Sequence, residues 1–195
     1  YNGAQDYDFI FRCTEMAGKI VHVPRVLYHW RVHSASTADN PASKLYAYEA
    51  GKKAIEGNLL RCGETGTVTL RSDYGFYDVE YQLQGTPLVS ILIPNKDQAD
   101  TLRTCIESIR KKCTYPAFEI LVIENNSTEE ATFSYYKELE AQGIRVLQYP
   151  KQGFNYSAIN NFGVREAKGE YLLFLNNDME VITPDFMEKM VSNLQ

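Results

Sequence analysis

The pattern of hydrophobic and polar positions changes near residue 86, and this change divides the chain into two parts. In the first part, apolar residues recur at helical spacing over residues 5–16 and again from about residue 41 to residue 63. Residues 19–23 and 26–31 lie between these helices and are predicted to be short extended segments. Alternating residues over positions 68–83 then predict a β-hairpin.

The second part alternates short apolar runs with amphipathic helical patterns. Four runs are predicted to be strands, and they cover residues 88–93, 118–123, 144–147 and 171–175. Because helical patterns separate them, the strands are expected to form a parallel sheet with right-handed crossovers and to be buried on both faces. Residues 127–130, Ser-Thr-Glu-Glu, match a capping box that would open the helix after the second strand.

Composition narrows the class of protein. The chain has 195 residues, of which 44% are hydrophobic and 23% charged, as in ordinary globular proteins. Its net charge of −5 argues against nucleic acid as a partner, because no basic surplus exists to neutralise phosphates. No apolar run approaches the ~20 residues that span a bilayer. The four cysteines form no Cys-x-x-Cys pair, which disfavours a zinc site and indicates a reducing, cytoplasmic setting.

Each predicted strand of the second part is followed by a polar cluster. The clusters cover residues 94–97, 124–127, 151–155 and 176–178. Parallel strands end at the same edge of a sheet, so the four clusters predict a polar crevice of nucleotide size. A turn or a helix cap is the alternative for any one of them alone. The chain has neither a Gly-x-Gly-x-x-Gly motif after the first of these strands nor a Gly-Lys-Ser/Thr loop, which disfavours dinucleotide-binding and P-loop folds.

If a phosphate is bound without those loops, a divalent cation is the natural means of neutralising its charge. Carboxylates and amides at a strand end can bind Mg²⁺ or Mn²⁺, which then neutralises a diphosphate. Asp178 is the best candidate ligand in this sequence. Glu180 either assists through water or is a solvated loop residue.

Four segments of the second part resemble the family 2 glycosyltransferases, which have the GT-A fold. They are Val-Ser-Ile-Leu-Ile-Pro-Asn-Lys-Asp at residues 89–97, Ile-Glu-Asn-Asn-Ser at 123–127, Asn-Phe-Gly at 161–163 and Leu-Asn-Asn-Asp at 175–178. They follow the family's order and spacing over residues 87–195. The resemblance therefore implies an α/β fold with a mostly parallel sheet, forming the nucleotide-sugar-binding half of a GT-A domain.

The same resemblance implies roles for residues after the first two strands of this half. Pro94, Asn95 and Asp97 would line the pocket for the nucleotide base. Glu124 and Asn125 would contact a uracil- or thymine-type base and its ribose. Asn125 stands where the family more often has an acid, and a neutral amide still bonds ribose hydroxyls.

Further roles are implied for the later clusters. Asn161 would support the diphosphate side of the site. Asn176, Asn177 and Asp178 correspond to the family's Asp-x-Asp motif, with Asp178 carrying the metal, Mg²⁺ or Mn²⁺. Asn176 and Asn177 replace acids, which weakens metal binding.

The first forty residues resemble the acceptor half of the same family. Gln-Asp-Tyr-Asp at residues 5–8 is similar to the acidic motif that carries the general base, and Asp6 would deprotonate the acceptor hydroxyl. His-Trp-Arg at residues 29–31 is similar to the segment that closes the donor site, where His29 would complete the metal coordination. The implied reaction is a single displacement with inversion at the sugar carbon.

The two halves occur in the reverse of the family's order. The simplest interpretation is a window across a tandem protein: residues 1–40 end one transferase domain, residues 41–86 form a helix and hairpin connector, and residues 87–195 begin a second domain. A circularly permuted single site is the alternative. On the tandem interpretation Asp6 and Asp178 serve different active sites, and the chain alone is expected to be inactive.

The implied function is transfer of a sugar from a nucleoside-diphosphate donor to a saccharide or lipid-linked saccharide in bacterial cell-surface polysaccharide synthesis. The expected location is the cytoplasm, with peripheral association at the inner face of the membrane left open. Two alternatives stay open. One is a non-catalytic nucleotide-sugar-binding module, which the double amide at residues 176–177 would suit. The other is a nucleotidyltransferase on a related fold, which needs a glycine-rich loop that residues 95–101 lack.

Overall fold

The computed structural model describes residues 1–29 and 44–195. The chain forms two compact units, residues 1–82 and residues 83–195. Within the described residues, no helix has both the length and the apolar character needed to cross a bilayer. Asn40 and Pro41, which were expected to open the second helix, lie outside the described residues, as do Trp30 and Arg31.

The first unit contains two helices and a two-stranded antiparallel sheet. The elements are α1 (Gln5–Met16), α2 (Leu45–Cys62), β1 (Gly66–Leu70) and β2 (Tyr77–Tyr81). Ile55 and Leu59 of α2 pack on Val68 of β1 in a small core. The carboxylate of Glu15 in α1 accepts hydrogen bonds from Arg61 and Asn58 of α2, and these hold its pKa at about 2. The two helices and the hairpin that the sequence predicts for this part of the chain are confirmed.

Residues 19–29, which fall within the two predicted extended segments, form no strand. Residues 19–29 have no regular secondary structure, and Ile20, Val21 and Val26 are exposed. A strand requires a partner for its backbone N–H and C=O groups, and within residues 1–29 and 44–82 no strand lies beside this segment. The sequence predicts extended segments here rather than paired strands, and that expectation stays a prediction.

The second unit is an α/β fold with a fully parallel four-stranded sheet. Its elements are β3 (Val89–Asn95), α3 (Ala99–Lys112), β4 (Phe118–Glu124), α4 (Glu130–Ala141), β5 (Arg145–Gln148), α5 (Tyr156–Glu166), β6 (Tyr171–Phe174) and α6 (Phe186–Ser192). The strand order is β5-β4-β3-β6. Every neighbouring pair is parallel. The predicted fold class and the parallel sheet are confirmed.

Burial explains which strands organise this sheet. Ile91 and Ile93 of β3 face a core that is covered by α3, α4 and α6. Leu92 of β3 faces the opposite side, where Ile159 of α5 covers it. β3 and β4 are buried on both faces, as expected for central parallel strands.

The last strand departs from that expectation. β6 pairs with β3 alone in the described part of the chain, and its outward side chains are partly open: Leu172 is 38% exposed and Phe174 is 47% exposed. The prediction that this strand is buried on both faces is wrong here. Apolar side chains mark a strand, but the number of its neighbours is a property of the whole sheet.

Gly169 lies in tight contact with the backbone at the start of β3, at the amino end of the sheet. A Cβ atom on Gly169 would lie 2.5 Å from the backbone N of Ser90 and 2.8 Å from the carbonyl O of Leu88. These are backbone atoms of the central strand and of the residue that precedes it, and they cannot move independently. We expect Gly169→Ala to lower the free energy of unfolding by about 1–3 kcal/mol, as overpacking does elsewhere.

The measurement is urea denaturation followed by circular dichroism. Gly18→Ala is the control, since a Cβ at Gly18 meets no atom within 4 Å. Equal stability of the Gly169 variant and the wild type would contradict the close approach of Gly169 to β3.

Candidate functional site

The carboxyl ends of β3, β4 and β6 meet at one edge of the sheet, and Asn95 is at their centre. Asn95 is the last residue of β3 and is only 2% exposed. Its Oδ1 accepts a hydrogen bond of 2.7 Å from Asn177 Nδ2, in the loop after β6. Its Nδ2 donates to the backbone O of Asp97 at 2.9 Å and to the hydroxyl of Tyr136 at 2.8 Å. The amide of Asn95 therefore joins the loop after β6 to α4.

Asp97 caps the helix α4, which follows a different strand. Its Oδ1 accepts hydrogen bonds from the backbone N of Thr128 at 2.7 Å and of Glu129 at 2.9 Å. These backbone donors lower the pKa of the Asp97 carboxyl. The N-cap residue Glu129 makes no side-chain cap. The predicted capping box at residues 127–130 is thus wrong, because the backbone N of Ser127, which Glu130 would bind in such a box, donates to Glu124 instead.

The loops that carry these residues contain unusual backbone conformations. Asp97, Gln98 and Asn126 have φ angles of 52°, 57° and 59°, in the left-handed region that non-glycine residues seldom adopt. Such conformations persist where the surrounding structure fixes them, and they concentrate at functional sites. The conformation of Asn126 is fixed by hydrogen bonds of its side chain: Oδ1 accepts from Gly153 N at 3.0 Å, and Nδ2 donates to Lys151 O at 3.3 Å.

Glu124 and Asn125 each leave a buried acceptor without a partner. Both residues are at most 3% exposed. One carboxylate oxygen of Glu124 accepts from the backbone N of Ser127. Within the described residues, Glu124 Oε2 and Asn125 Oδ1 have no hydrogen-bond partner. A buried acceptor that stays unsatisfied costs about 1–3 kcal/mol, so this pair is suited to donors that a ligand would bring.

A polar cavity of about 650 Å³ opens beside these two residues. It is lined by Lys96, Glu124, Asn125, Asn126, Ser127, Thr128, Gln148, Gln152, Gly153 and Phe154. The volume lies within the ~300–1,000 Å³ of small-molecule sites. Lys96 contributes a positive charge to the lining, and Phe154 presents an aromatic ring that is 75% exposed.

The loop after β6 presents a single unpaired carboxylate. Asn176 and Asp178 are exposed, and Asp178 makes no hydrogen bond or ion pair with the residues that the structure describes. The Asn177 side chain instead turns inward to Asn95. Glu180 is bound by Lys112 Nζ at 2.7 Å, which lowers the pKa of that carboxyl. Asp185, at the end of the loop, pairs with Lys189 at 3.1 Å, so Asp178 is the carboxylate of this loop that has no partner among the described residues.

The donor set fits a divalent cation only in part. No group of three or more His, Cys, Asp or Glu side chains able to hold a metal occurs among residues 1–29 and 44–195. Mg²⁺ is commonly held by one or two carboxylates together with the phosphates of a substrate. Asp178 can supply one such carboxylate, and a diphosphate would have to supply the remaining charge.

Two other predicted residues of the second unit lie apart from the network around Asn95. Pro94 is a half-buried residue of β3. Asn161 is exposed on α5. Its neighbour Asn160 is buried, and its Oδ1 has no partner among the described residues.

The predicted residues of the first unit are both exposed. Asp6 lies in the first turn of α1, and its Oδ1 accepts from the backbone N of Tyr7 at 2.9 Å. Asp8, two residues later, is buried and is paired with Arg12 at 2.8 Å. His29 is exposed, and residues 26–29 have no regular secondary structure. Asp6 is thus the carboxylate of this pair that is open to solvent.

Sequence reasoning assigned no binding role to several residues that the structure brings to the cavity. They are Lys96, Ser127, Thr128, Gln148, Gln152 and Phe154. Lys96, Ser127, Gln152 and Phe154 nevertheless belong to the polar clusters that predict the crevice, and Thr128 and Gln148 directly follow a predicted cluster or strand. Tyr136 carries no such signal, because its contact with Asn95 joins residues 41 positions apart.

A parallel α/β sheet with a polar cavity beyond the carboxyl ends of its strands is the arrangement of α/β nucleotide-binding proteins. Residues 90–195 match the family described as Glycosyl transferase family 2. The chain therefore belongs to glycosyl transferase family 2, which confirms the expected family.

Two relatives match the whole of this chain. The O-antigen biosynthesis protein RfbC of Myxococcus xanthus is 40% identical over 195 residues, and the match covers 15% of its length. The uncharacterized protein y4gI of Sinorhizobium fredii is 40% identical over 200 residues, and the match covers 22% of its length. The chain thus spans less than a quarter of these relatives.

Solved structures with a similar backbone include S. aureus TarS 1–349. It is 19% identical, with a TM-score of 0.47 over 54% of this chain and 31% of that one. Another is the mannosyltransferase PcManGT from Pyrobaculum calidifontis in complex with GDP-Man and Mn²⁺. It is 16% identical, with a TM-score of 0.49 over 77% of this chain and 42% of that one.

The cap on α4 generates a prediction for pH dependence. Because the folded-state pKa of Asp97 is lowered, its stabilising effect is present at neutral pH and is lost as the pH falls through that lowered pKa. We expect Asp97→Ala to reduce the melting temperature at pH 7. The difference from wild type should begin to shrink below about pH 4, where an unfolded aspartate becomes protonated, and should keep shrinking as the pH falls further. Thermal denaturation across this range measures it.

Asp100→Ala is the matched control, because Asp100 lies in the first turn of α3 and its carboxylate makes no hydrogen bond within the described chain. Its effect on the melting temperature should be smaller, because no backbone N–H group loses a partner. A difference for Asp97→Ala that stays constant from pH 7 to pH 3 would rule out the charged cap.

Proposed function

We propose that the cavity beside Glu124 and Asn125 binds the nucleoside diphosphate of a sugar donor. The observation that carries this proposal is the pair of buried acceptors, Glu124 Oε2 and Asn125 Oδ1, which lack partners in the described chain. Membership of glycosyl transferase family 2 supports the same ligand. On this proposal the protein that contains the chain transfers a sugar to a saccharide acceptor in polysaccharide synthesis.

Different residues of the cavity contact different parts of the donor. Asn125 Oδ1 accepts a hydrogen bond from an N–H group of the base, and Glu124 Oε2 accepts one from a ribose hydroxyl. Phe154, whose ring is exposed at the cavity, stacks on the base. Lys96 adds a positive charge to the cavity that receives the anionic donor. Pro94, Asn95 and Asp97 shape the cavity through the loops that they fix.

The diphosphate side of the donor would lie toward Asn176 and Asp178. Mg²⁺ or Mn²⁺, when bound with the diphosphate, would neutralise charge on the leaving group. Asp178 would hold the ion, since its carboxylate has no partner in the described chain. Asn177 bonds Asn95 and so positions the loop rather than contacting the ligand. The exposed Asn161 on α5 is proposed to support the phosphates.

We propose that the first unit supplies the acceptor side of a separate transferase domain, whose active site is not the one that contains Asp178. We propose Asp6 as the general base, because a sugar hydroxyl attacks only after a positioned carboxylate takes its proton. Asp6 is exposed at the start of α1, whereas Asp8 is buried in an ion pair. The same proposal includes inversion at the sugar carbon and participation of His29 in metal binding. It also includes the division of the chain into residues 1–40, 41–86 and 87–195.

The free cysteines at positions 13, 62, 105 and 113 suit a reducing compartment such as the cytoplasm.

A non-catalytic nucleotide-sugar-binding module is the second candidate. The inward turn of Asn177 favours it, because only Asp178 then remains to hold a metal ion beside the diphosphate. This candidate predicts nucleotide binding that does not respond to Mn²⁺.

Nucleotide binding by the 195-residue chain tests the first proposal. Calorimetric titration with UDP and GDP should detect binding, and Asn125→Ala should weaken it about tenfold, because a buried acceptor for the base is lost. Asn193→Ala is the control, since the side chain of the exposed Asn193 donates to Lys189 O and does not line this cavity. A wild-type chain that binds CTP or ATP but neither diphosphate would favour a nucleotidyltransferase, and no binding at all would refute the proposal.

The role of Asp178 is tested by the same titration in Mn²⁺ and in EDTA. The wild type should bind UDP or GDP more tightly in Mn²⁺, because the ion links Asp178 to the diphosphate. In Asp178→Asn the affinities in Mn²⁺ and EDTA should become equal, while the affinity in EDTA stays at the wild-type value. Full retention of the Mn²⁺ effect in this variant would remove Asp178 from the metal site.

A further inference from the structure

The hydroxyl of Tyr136 is buried between two loops of the candidate site. Tyr136 lies on α4 and is 5% exposed. Burial raises the pKa of this tyrosine, so the hydroxyl keeps its proton at neutral pH. The oxygen accepts a hydrogen bond from Asn95 Nδ2 at 2.8 Å and lies 3.3 Å from Ser127 Oγ. Tyr136 does not line the cavity, whereas Ser127 does.

Counting protons fixes the direction of the bond between Tyr136 and Ser127. Asn95 Nδ2 can only donate, so it cannot accept the proton of Tyr136. Within the described residues, Ser127 Oγ is the acceptor that the Tyr136 hydroxyl reaches. If Ser127 donated instead, the proton of Tyr136 would be buried without an acceptor, which is unfavourable. Tyr136 therefore donates to Ser127.

This direction decides what Ser127 can do. Its Oγ also accepts the backbone N–H of Asp97 at 2.9 Å. A serine oxygen has two acceptor positions, and Tyr136 and Asp97 occupy both. Its own hydroxyl proton has no acceptor among residues 1–29 and 44–195. Since Ser127 lines the cavity, this proton is free to point into it.

We infer that Ser127 donates a hydrogen bond to an oxygen of the bound nucleotide and that Tyr136 positions Ser127 for this role. The inference rests on the proposed function, since the acceptor is an oxygen of the base or the ribose. Tyr136 is a positioning residue that touches no ligand. Its hydroxyl fills an acceptor position of Ser127 and so keeps the serine proton directed at the cavity.

The test is a double-mutant cycle on the 195-residue chain, with UDP and GDP as the titrated probes. Ser127→Ala should weaken binding about threefold to tenfold, the usual effect of one hydrogen bond, and Ser127→Thr should stay within about twofold of wild type because it keeps the hydroxyl. Tyr136→Phe should weaken binding by a similar factor in the wild type. In the Ser127→Ala background it should change the affinity by less than about twofold.

Tyr135→Phe is the matched control, since Tyr135 is the neighbouring buried tyrosine on α4 and does not line this cavity. It should leave the affinity unchanged. Unchanged affinity in Ser127→Ala, or an equal effect of Tyr136→Phe with and without the serine hydroxyl, would overturn the inference and leave the proposed function standing. A wild-type chain that binds neither probe would remove both. If Tyr136→Phe does not fold, the contrast between Ser127→Ala and Ser127→Thr still decides the serine donor.

Discussion

The amide of Asn95 is the constraint on which the candidate site depends. It ends the central strand β3, it is buried, and both its donors and its acceptor are used by other parts of the fold. A buried amide in this state tolerates little displacement, because moving any partner leaves a polar group unsatisfied. The loops after β3 and β6 and the helix α4 are therefore fixed relative to one another, and the cavity beside them has a defined shape.

The fold could be predicted from the sequence where local pattern decides it. β3 and β4 are short apolar runs because they are buried on both faces, and Gly63 and Gly143 mark the ends of helices because they adopt positive φ. Prediction failed where a partner distant in sequence decides the outcome. β6 has the apolar composition of a strand buried on both faces but only one neighbouring strand in the described chain, and α4 is capped by Asp97 from another loop rather than by its own first residues.

The candidate site could be predicted as a region but not as a set of roles. Strand ends identify Asn95, Asn125 and Asn177 equally, since all three are amides at the same edge of the sheet. The structure separates them by their hydrogen bonds. Asn95 and Asn177 bond each other, whereas Asn125 keeps a buried acceptor without a partner in the described chain. Hydrogen-bond satisfaction depends on tertiary contacts, so no local sequence pattern reveals it.

The amide at position 177 has an electrostatic consequence for the site. An aspartate there could not donate to Asn95 Oδ1, and a carboxylate oxygen would face that carbonyl oxygen instead. The asparagine thus completes the network around Asn95, but it removes a negative charge from the loop that carries Asp178. With Glu180 held by Lys112, Asp178 is the carboxylate of this loop that remains unpaired. A loop with one free carboxylate attracts a divalent cation weakly by itself, so metal binding here should depend on the charge that a bound diphosphate brings.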